Sequence, residues 1–139
     1  MLTVFKARTT GLPNPSAPTS AEITTIDSDS DVGRYETSIT IGTNGNPIIS
    51  YYDYTNEDLK VAACTNPTCT TATTSTIDTT GEVGYYTSIA IGTNGYPIIS
   101  YLDATNFDLK VAACTNPTCT TSNNTTLDST GDVGWYTSI

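Results

Sequence analysis

No histidine occurs among the 139 residues, so the chain has no imidazole base and no Ser-His-Asp or Cys-His nucleophile arrangement. Proton chemistry would fall to carboxylates. Asp53 and Asp58 recur as Asp103 and Asp108, a set formally suited to paired-carboxylate glycoside hydrolysis. Their repetition argues for another use. An active site is normally one asymmetric constellation, whereas residues stamped into every copy of a repeat serve the fold or a repeated binding site. These aspartates are read as acceptors for backbone N–H groups in the Asp-x-Thr-Asn turns they open. No catalytic residue is assigned, and the chain is expected not to be an enzyme.

Asp27-Ser28-Asp29-Ser30-Asp31-Val32-Gly33 sets oxygen donors at alternate positions, as a calcium loop does. Its glycine comes one residue late for the EF-hand pattern, and no glutamate follows at the twelfth position. The later copies, Asp78-Thr-Thr-Gly-Glu82 and Asp128-Ser-Thr-Gly-Asp132, hold fewer donors. Asp27, Asp29 and Asp31 are the calcium candidates; no other cofactor is expected.

Cys64 and Cys69 flank Thr-Asn-Pro-Thr, and so do Cys114 and Cys119. A cysteine on each side of a tight turn brings the two Cβ atoms within bridging range, so a disulfide is expected in each pair. The alternatives are free thiols or a zinc site, which favours closer Cys-x-x-Cys knuckles and often histidine partners. Disulfides imply an oxidising compartment, and the protein is expected outside the cytoplasm.

Aromatic side chains recur beside Asp and Gly where each repeat begins: Tyr35, then Tyr85 and Tyr86, then Trp135 and Tyr136. Rings flanked by acidic and amide groups can stack on sugars while accepting hydroxyl hydrogen bonds. The plainer reading is packing between repeats. These five residues are the ligand-binding candidates, with glycans as the ligand class. Asn123-Asn124-Thr125-Thr126 also holds overlapping glycosylation sequons.

The element that must position all of these is a repeat. Leu59–Thr71 recurs unchanged as Leu109–Thr121, and Thr37–Thr76 aligns with Thr87–Thr126 with nine differences in forty positions. A third copy opens at Leu127. The frame adopted is residues 1–22 as an atypical N-terminal segment, a degenerate partial blade, and 23–36 as an outer strand and the loop into the first full repeat. Repeats follow at 37–86 and 87–136, with 137–139 starting a truncated third. A period of this length signals units that bury their apolar faces only by stacking.

Within one repeat, Ser38-Ile39-Thr40-Ile41 alternates with period two and is followed by Asn44-Gly45, a strong hairpin signal. Pro47–Asp53 forms the second strand, with Pro47 at its start where a missing N–H costs least. Asp58–Cys64 is the third strand, with Leu59, Val61 and Ala63 on one face. A Thr-rich run ending at Thr76-Ile77-Asp78 is the outer fourth strand. No 3.6-residue periodicity is present, so almost no helix is expected. Leu2–Ala7 has the alternation of Leu59–Cys64, and Ala21–Asp27 that of Ser75–Asp78, so the N-terminus reads as the last two strands of a degenerate blade. The fold class is all-β: tandem four-stranded antiparallel meander blades, β-propeller-like, an incomplete propeller in this chain. Because a propeller needs about four to eight blades, the chain is read as part of a longer repeat protein or as a subunit completing its edges by self-association into a ring or filament.

The blocks at 86–101 (Tyr-Thr-Ser-Ile-Ala-Ile-Gly-Thr-Asn-Gly-Tyr-Pro-Ile-Ile-Ser-Tyr) and 108–114 (Asp-Leu-Lys-Val-Ala-Ala-Cys) resemble repeats of secreted bacterial β-propeller proteins. The likeness is to the sialidase-type repeat superfamily and the tachylectin-like propellers, and covers about residues 23–139. It implies the propeller fold without a function, since propellers host many tasks. The sialidase Asp box is unmatched, Ser129-Thr130-Gly131-Asp132 having the wrong order, so no sialidase activity is implied.

Charge narrows the partners. Fourteen acidic against five basic residues give a net charge of −9. Such a chain repels phosphate backbones, so neither nucleic acid nor an anionic membrane is expected as a partner. No apolar run nears the ~20 residues that span a bilayer. Met1–Ser20 lacks the apolar core of a signal peptide, so secretion would be directed by a segment outside this chain. The expected function is a non-enzymatic extracellular repeat protein, a structural or adhesive scaffold. The alternative is a carbohydrate-binding lectin with sites at the blade junctions.

Overall fold

A computed structural model describes residues 23–139. These form two four-stranded antiparallel sheets and, among the described residues, no helix. The first sheet is β1 (Val32–Ile41), β2 (Pro47–Asp53), β3 (Asp58–Cys64) and β4 (Ala72–Asp78); the second is β5 (Val83–Ile91), β6 (Pro97–Asp103), β7 (Asp108–Cys114) and β8 (Ser122–Asp128). Each is an up-and-down meander, ordered β1-β2-β3-β4 and β5-β6-β7-β8. The expected all-β, propeller-like blades are present.

The hairpin at Asn44-Gly45 forms as its residues require. Gly45 has φ +80°, Gly42 and Asn46 close the loop, and Ile41 pairs with Pro47. Further along, β1 and β5 bulge. In the second sheet Tyr86 and Thr87 oppose the single residue Tyr101, the usual two-against-one bulge. In the first, Tyr35, Glu36 and Thr37 oppose Tyr51. Glu36 is the extra residue there, which is why the repeat spacing changes just before Thr37. The bulge turns Tyr35 and Tyr86 into left-handed backbone, φ 58° and 51°.

Burial follows the strand period. Ile48, Leu59 and Val61 on one face of the first sheet join Ile99, Tyr101, Ala112, Cys114 and Cys119 of the second in one core. The opposite face of the first sheet, Ile49, Tyr51, Ala62, Cys64 and Cys69, packs with Ile26 and Val32. Leu59, Val61 and Val83 are wholly inaccessible; burying each stabilises by about 1.5–3 kcal/mol. A sheet standing alone would leave such residues in water.

Residues 23–27 were expected in an outer strand, yet they have no strand assignment. A strand exists only through a hydrogen-bonded neighbour. The one expected to supply it, Leu2–Ala7, lies outside the described residues, as does the rest of the partial blade at 1–22. Thr137–Ile139, expected to open a further first strand, likewise carries no strand assignment.

Both disulfides form, Cys64–Cys69 and Cys114–Cys119, with Cα atoms 4.9 Å apart in each. They bracket the β3–β4 and β7–β8 turns, which Asn66 and Asn116 organise by accepting N–H bonds from Thr68 and Thr70, and from Thr118 and Thr120.

Candidate functional site

The chemistry of the chain gathers where one sheet meets the next. β7 carries Lys110 within the otherwise apolar run Leu-Lys-Val-Ala-Ala-Cys, and a buried ammonium requires a partner. That partner comes from the preceding sheet. Asp78, the last residue of β4, accepts from Lys110 Nζ at 2.6 Å and from the Tyr101 hydroxyl at 2.7 Å. Asp103 stands 3.9 Å from the same ammonium. The arrangement repeats at the first sheet, where Asp27 accepts from Lys60 Nζ and the Tyr51 hydroxyl, both at 2.7 Å, with Asp53 at 3.6 Å. Ile26-Asp27 thus fills the place that Ile77-Asp78 fills one unit later, although it belongs to no strand.

Asp53 and Asp103 perform the turn role expected of them. Asp53 accepts the Thr55 and Asn56 N–H groups, and Asp103 those of Thr105 and Asn106. Both are almost fully buried and both also face the lysine of their own sheet. Asp58 and Asp108 open the following strands, and the turn bonds expected of them do not form, because the amides of those turns go to Asp53 and Asp103.

A belt of loops joins the units a second time. The turn between β2 and β3 binds the loop entering its own sheet, Tyr54 N–H to Asp31 O, and the loop entering the next, Val83 N–H to Glu57 O. The pattern recurs as Ala104 N–H to Glu82 O and Val133 N–H to Phe107 O. A third link runs along the first strands. Thr87 hydrogen-bonds Ser50, and the Ile89 N–H donates to Ser38 Oγ.

The five aromatic candidates lie on this belt, and the structure brings them together. Tyr54, Tyr52, Tyr35, Tyr85, Tyr86, Tyr136, Trp135 and Phe107 form one run of ring contacts, with centroids 4.1–6.5 Å apart. Tyr35, Tyr54, Phe107, Trp135 and Tyr136 are exposed. The sequence differences Tyr52/Leu102, Tyr54/Ala104 and Glu57/Phe107 converge on this run. Tyr54/Ala104 and Glu57/Phe107 belong to the turns between the second and third strands of each sheet. Each entering loop is pinned by a carboxylate three residues before a variable donor: Asp31 with Arg34 at 2.6 Å, Glu82 with the Tyr85 hydroxyl at 2.5 Å, and Asp132 with the Trp135 indole N–H. Arg34 also lies 4.1 Å over the Tyr54 ring.

Two of the three calcium candidates have their carboxylates engaged elsewhere. Asp27 is held by Lys60 and Tyr51, Asp31 by Arg34, and the Asp29 N–H donates to Asp27. Among the described residues no group of three or more acidic or cysteine side chains is placed to hold a metal.

Burial alone would raise the Asp78 carboxyl, but bonds from Lys110, Tyr101 and the Thr80 N–H outweigh it and hold the pKa below the ordinary carboxylate value. Against the same burial, Lys60, Tyr51 and the Asp29 N–H lower Asp27, and Asn56, Ser30 and Lys60 lower Asp53. Asp58 opposes them: burial, then the charges of Asp53 and Asp78, raise it. Burial and then the facing carboxylates, Asp27, Asp78 and Glu82, raise Tyr51, Tyr101 and Tyr85. Tyr52 is pushed up to about 12, chiefly by burial.

These directions set a pH profile. A depressed aspartate contributes stability that is full above its unfolded pKa of about 4 and is lost as pH falls through the folded value. A raised tyrosine contributes below about pH 10 and loses that contribution as pH climbs further. Asp58 acts with the opposite sign, its strain relieved on protonation. The melting temperature should therefore be level between about pH 5 and 9 and fall on both sides. Thermal denaturation followed by circular dichroism checks this; a melting temperature that rises below about pH 4 contradicts it.

No protein-family model matches the sequence, and neither a curated protein nor a solved structure matches it significantly.

Proposed function

We propose that this chain is a non-enzymatic repeat scaffold of the extracellular space, its units stacking as blades of a β-propeller or related array. One observation carries the reading: the same Asp–Lys–Tyr contact is built at both places where a unit receives the segment before it. Of the carboxylates that a paired-acid mechanism would draw on, Asp53 and Asp103 are engaged by turn amides. Two disulfides and a net charge of −9 suit secretion. Among the described residues no helix is long and apolar enough to cross a membrane. Self-association or further units of the same kind supply the partners.

The exposed aromatic run favours a second reading, a lectin that stacks sugar rings at the junctions. A glycan array separates the two. The scaffold reading expects no saturable binding. Saturable binding abolished by Trp135→Ala and by Tyr86→Ala would replace it with the lectin.

A further inference from the structure

The outward face of the second sheet is the counterpart of the one the first sheet buries. Ile48, Leu59, Val61 and Ala63 are at most 4 % exposed beneath β5–β8. Their equivalents Ile98, Leu109, Val111 and Ala113 are only half-buried. At the edge of that face stands Leu127-Asp128, equivalent to Ile77-Asp78. Ile77 packs on the core between the sheets, whereas Leu127 is 62 % exposed. Asp27, Asp78 and Asp128 each accept the N–H two residues on, from Asp29, Thr80 and Thr130. Asp27 and Asp78 also hold a lysine and a tyrosine; Asp128, exposed, holds neither.

Something already sits on this face in the manner of a further unit. Thr137 hydrogen-bonds Ser100 at 2.9 Å and the Ile139 N–H donates to Ser88 Oγ at 3.2 Å. Thr87 and Ile89 make the same two bonds to Ser50 and Ser38, at 2.8 Å and 3.2 Å. Gly134 likewise lies against Asp108 and Leu109 as Gly84 lies against Leu59. The step from the first sheet to the second is therefore repeated by residues 133–139.

We infer that this face is the docking site for a further four-stranded unit continuing from Thr137–Ile139, which hold the places that Thr87–Ile89 of β5 hold on the first sheet. Asp128 is the open half of the contact, selecting a unit that presents a lysine and a tyrosine as Lys110 and Tyr101 do. The inference rests on the stacking proposed above. It commits to a unit continuous with residues 137–139 because Thr137 and Ile139 already make on this face the bonds that Thr87 and Ile89 make on the first sheet. An ammonium is the complement of Asp128, and the apolar strip of Leu109, Val111 and Leu127 complements the Ile99, Tyr101 and Ala112 face that covers the first sheet.

The test extends the chain beyond Ile139 with a copy of residues 90–136 and reads the alkylation rate of a thiol placed by Leu127→Cys. The extended protein should react at least tenfold more slowly than the unextended one. Lys110→Met and Tyr101→Phe made only in the appended copy should restore the fast rate. So should Asp128→Asn, which alters no contact of the appended unit's own fold. Protection that survives all three substitutions would overturn the Asp128 contact while leaving stacking intact. No protection in the extended chain would overturn both. Protection of the unextended protein that grows with its concentration would assign the face to a second copy and overturn the inference.

Discussion

Lys110→Met should destabilise the protein by about 3–5 kcal/mol, because it strands two buried carboxylates rather than deleting one surface charge. Asp78 and Asp103 are 4 % and 3 % exposed, and Lys110 is the ammonium that faces both. Methionine nearly conserves the volume, so packing changes little. The loss corresponds to roughly 10–25 °C in melting temperature for a domain of this size. Urea denaturation measures it. Adding Asp78→Leu should recover part of the loss, since an apolar pair avoids the unpaired charge. A change below about 1 kcal/mol would place the pair among surface ion pairs and remove it as the link between sheets.

Gly84→Ala should cost a similar amount for a different reason. Gly84 has φ +105°, and a Cβ there would lie 2.8 Å from the Leu59 Cα and 3.1 Å from its nitrogen. Those are backbone atoms of β3 in the preceding sheet, so relief requires the two sheets to part. Left-handed strain of about 1–3 kcal/mol adds to overpacking of about 1–3 kcal/mol. Gly33→Ala is the control. It has φ +74°, but its nearest neighbour would be Thr37 Cγ2 at 3.8 Å, so only the conformational cost of about 1–2 kcal/mol applies. Equal losses at the two positions in urea denaturation would show that the close approach of the sheets contributes nothing.

Much of the fold could be read from the residues. Alternating Ile39 and Ile41, the Asn44-Gly45 turn and the starting Pro47 specify a hairpin by local stereochemistry, and the cysteine pairs specify their own bridges. Asp53 and Asp103 were legible as turn acceptors because an Asx turn is closed within a few residues. The contact between units was not. Asp78 and Lys110 are distant in sequence, and Asp27 lies in a stretch that forms no strand. The signal was nonetheless present: Ile26-Asp27, Ile77-Asp78 and Leu127-Asp128 recur with the repeat, and Lys60 and Lys110 are single charges inside apolar strands. A buried ammonium asks for a carboxylate, and the recurring acid is the one that the stack brings to it. The left-handed tyrosines were less accessible, since bulge geometry depends on a register that Glu36 alters in one copy and not in the other.

Native-state hydrogen exchange at Leu59–Ala63 of the first sheet, compared between the parent protein and Lys110→Met, tests most directly whether each sheet is held by its neighbour. The substitution lies in the second sheet, yet protection in β3 should fall at least tenfold, together with that of β6 and β7. Loss confined to Val83–Asp128, with β3 unchanged, would mean that the sheets stand independently.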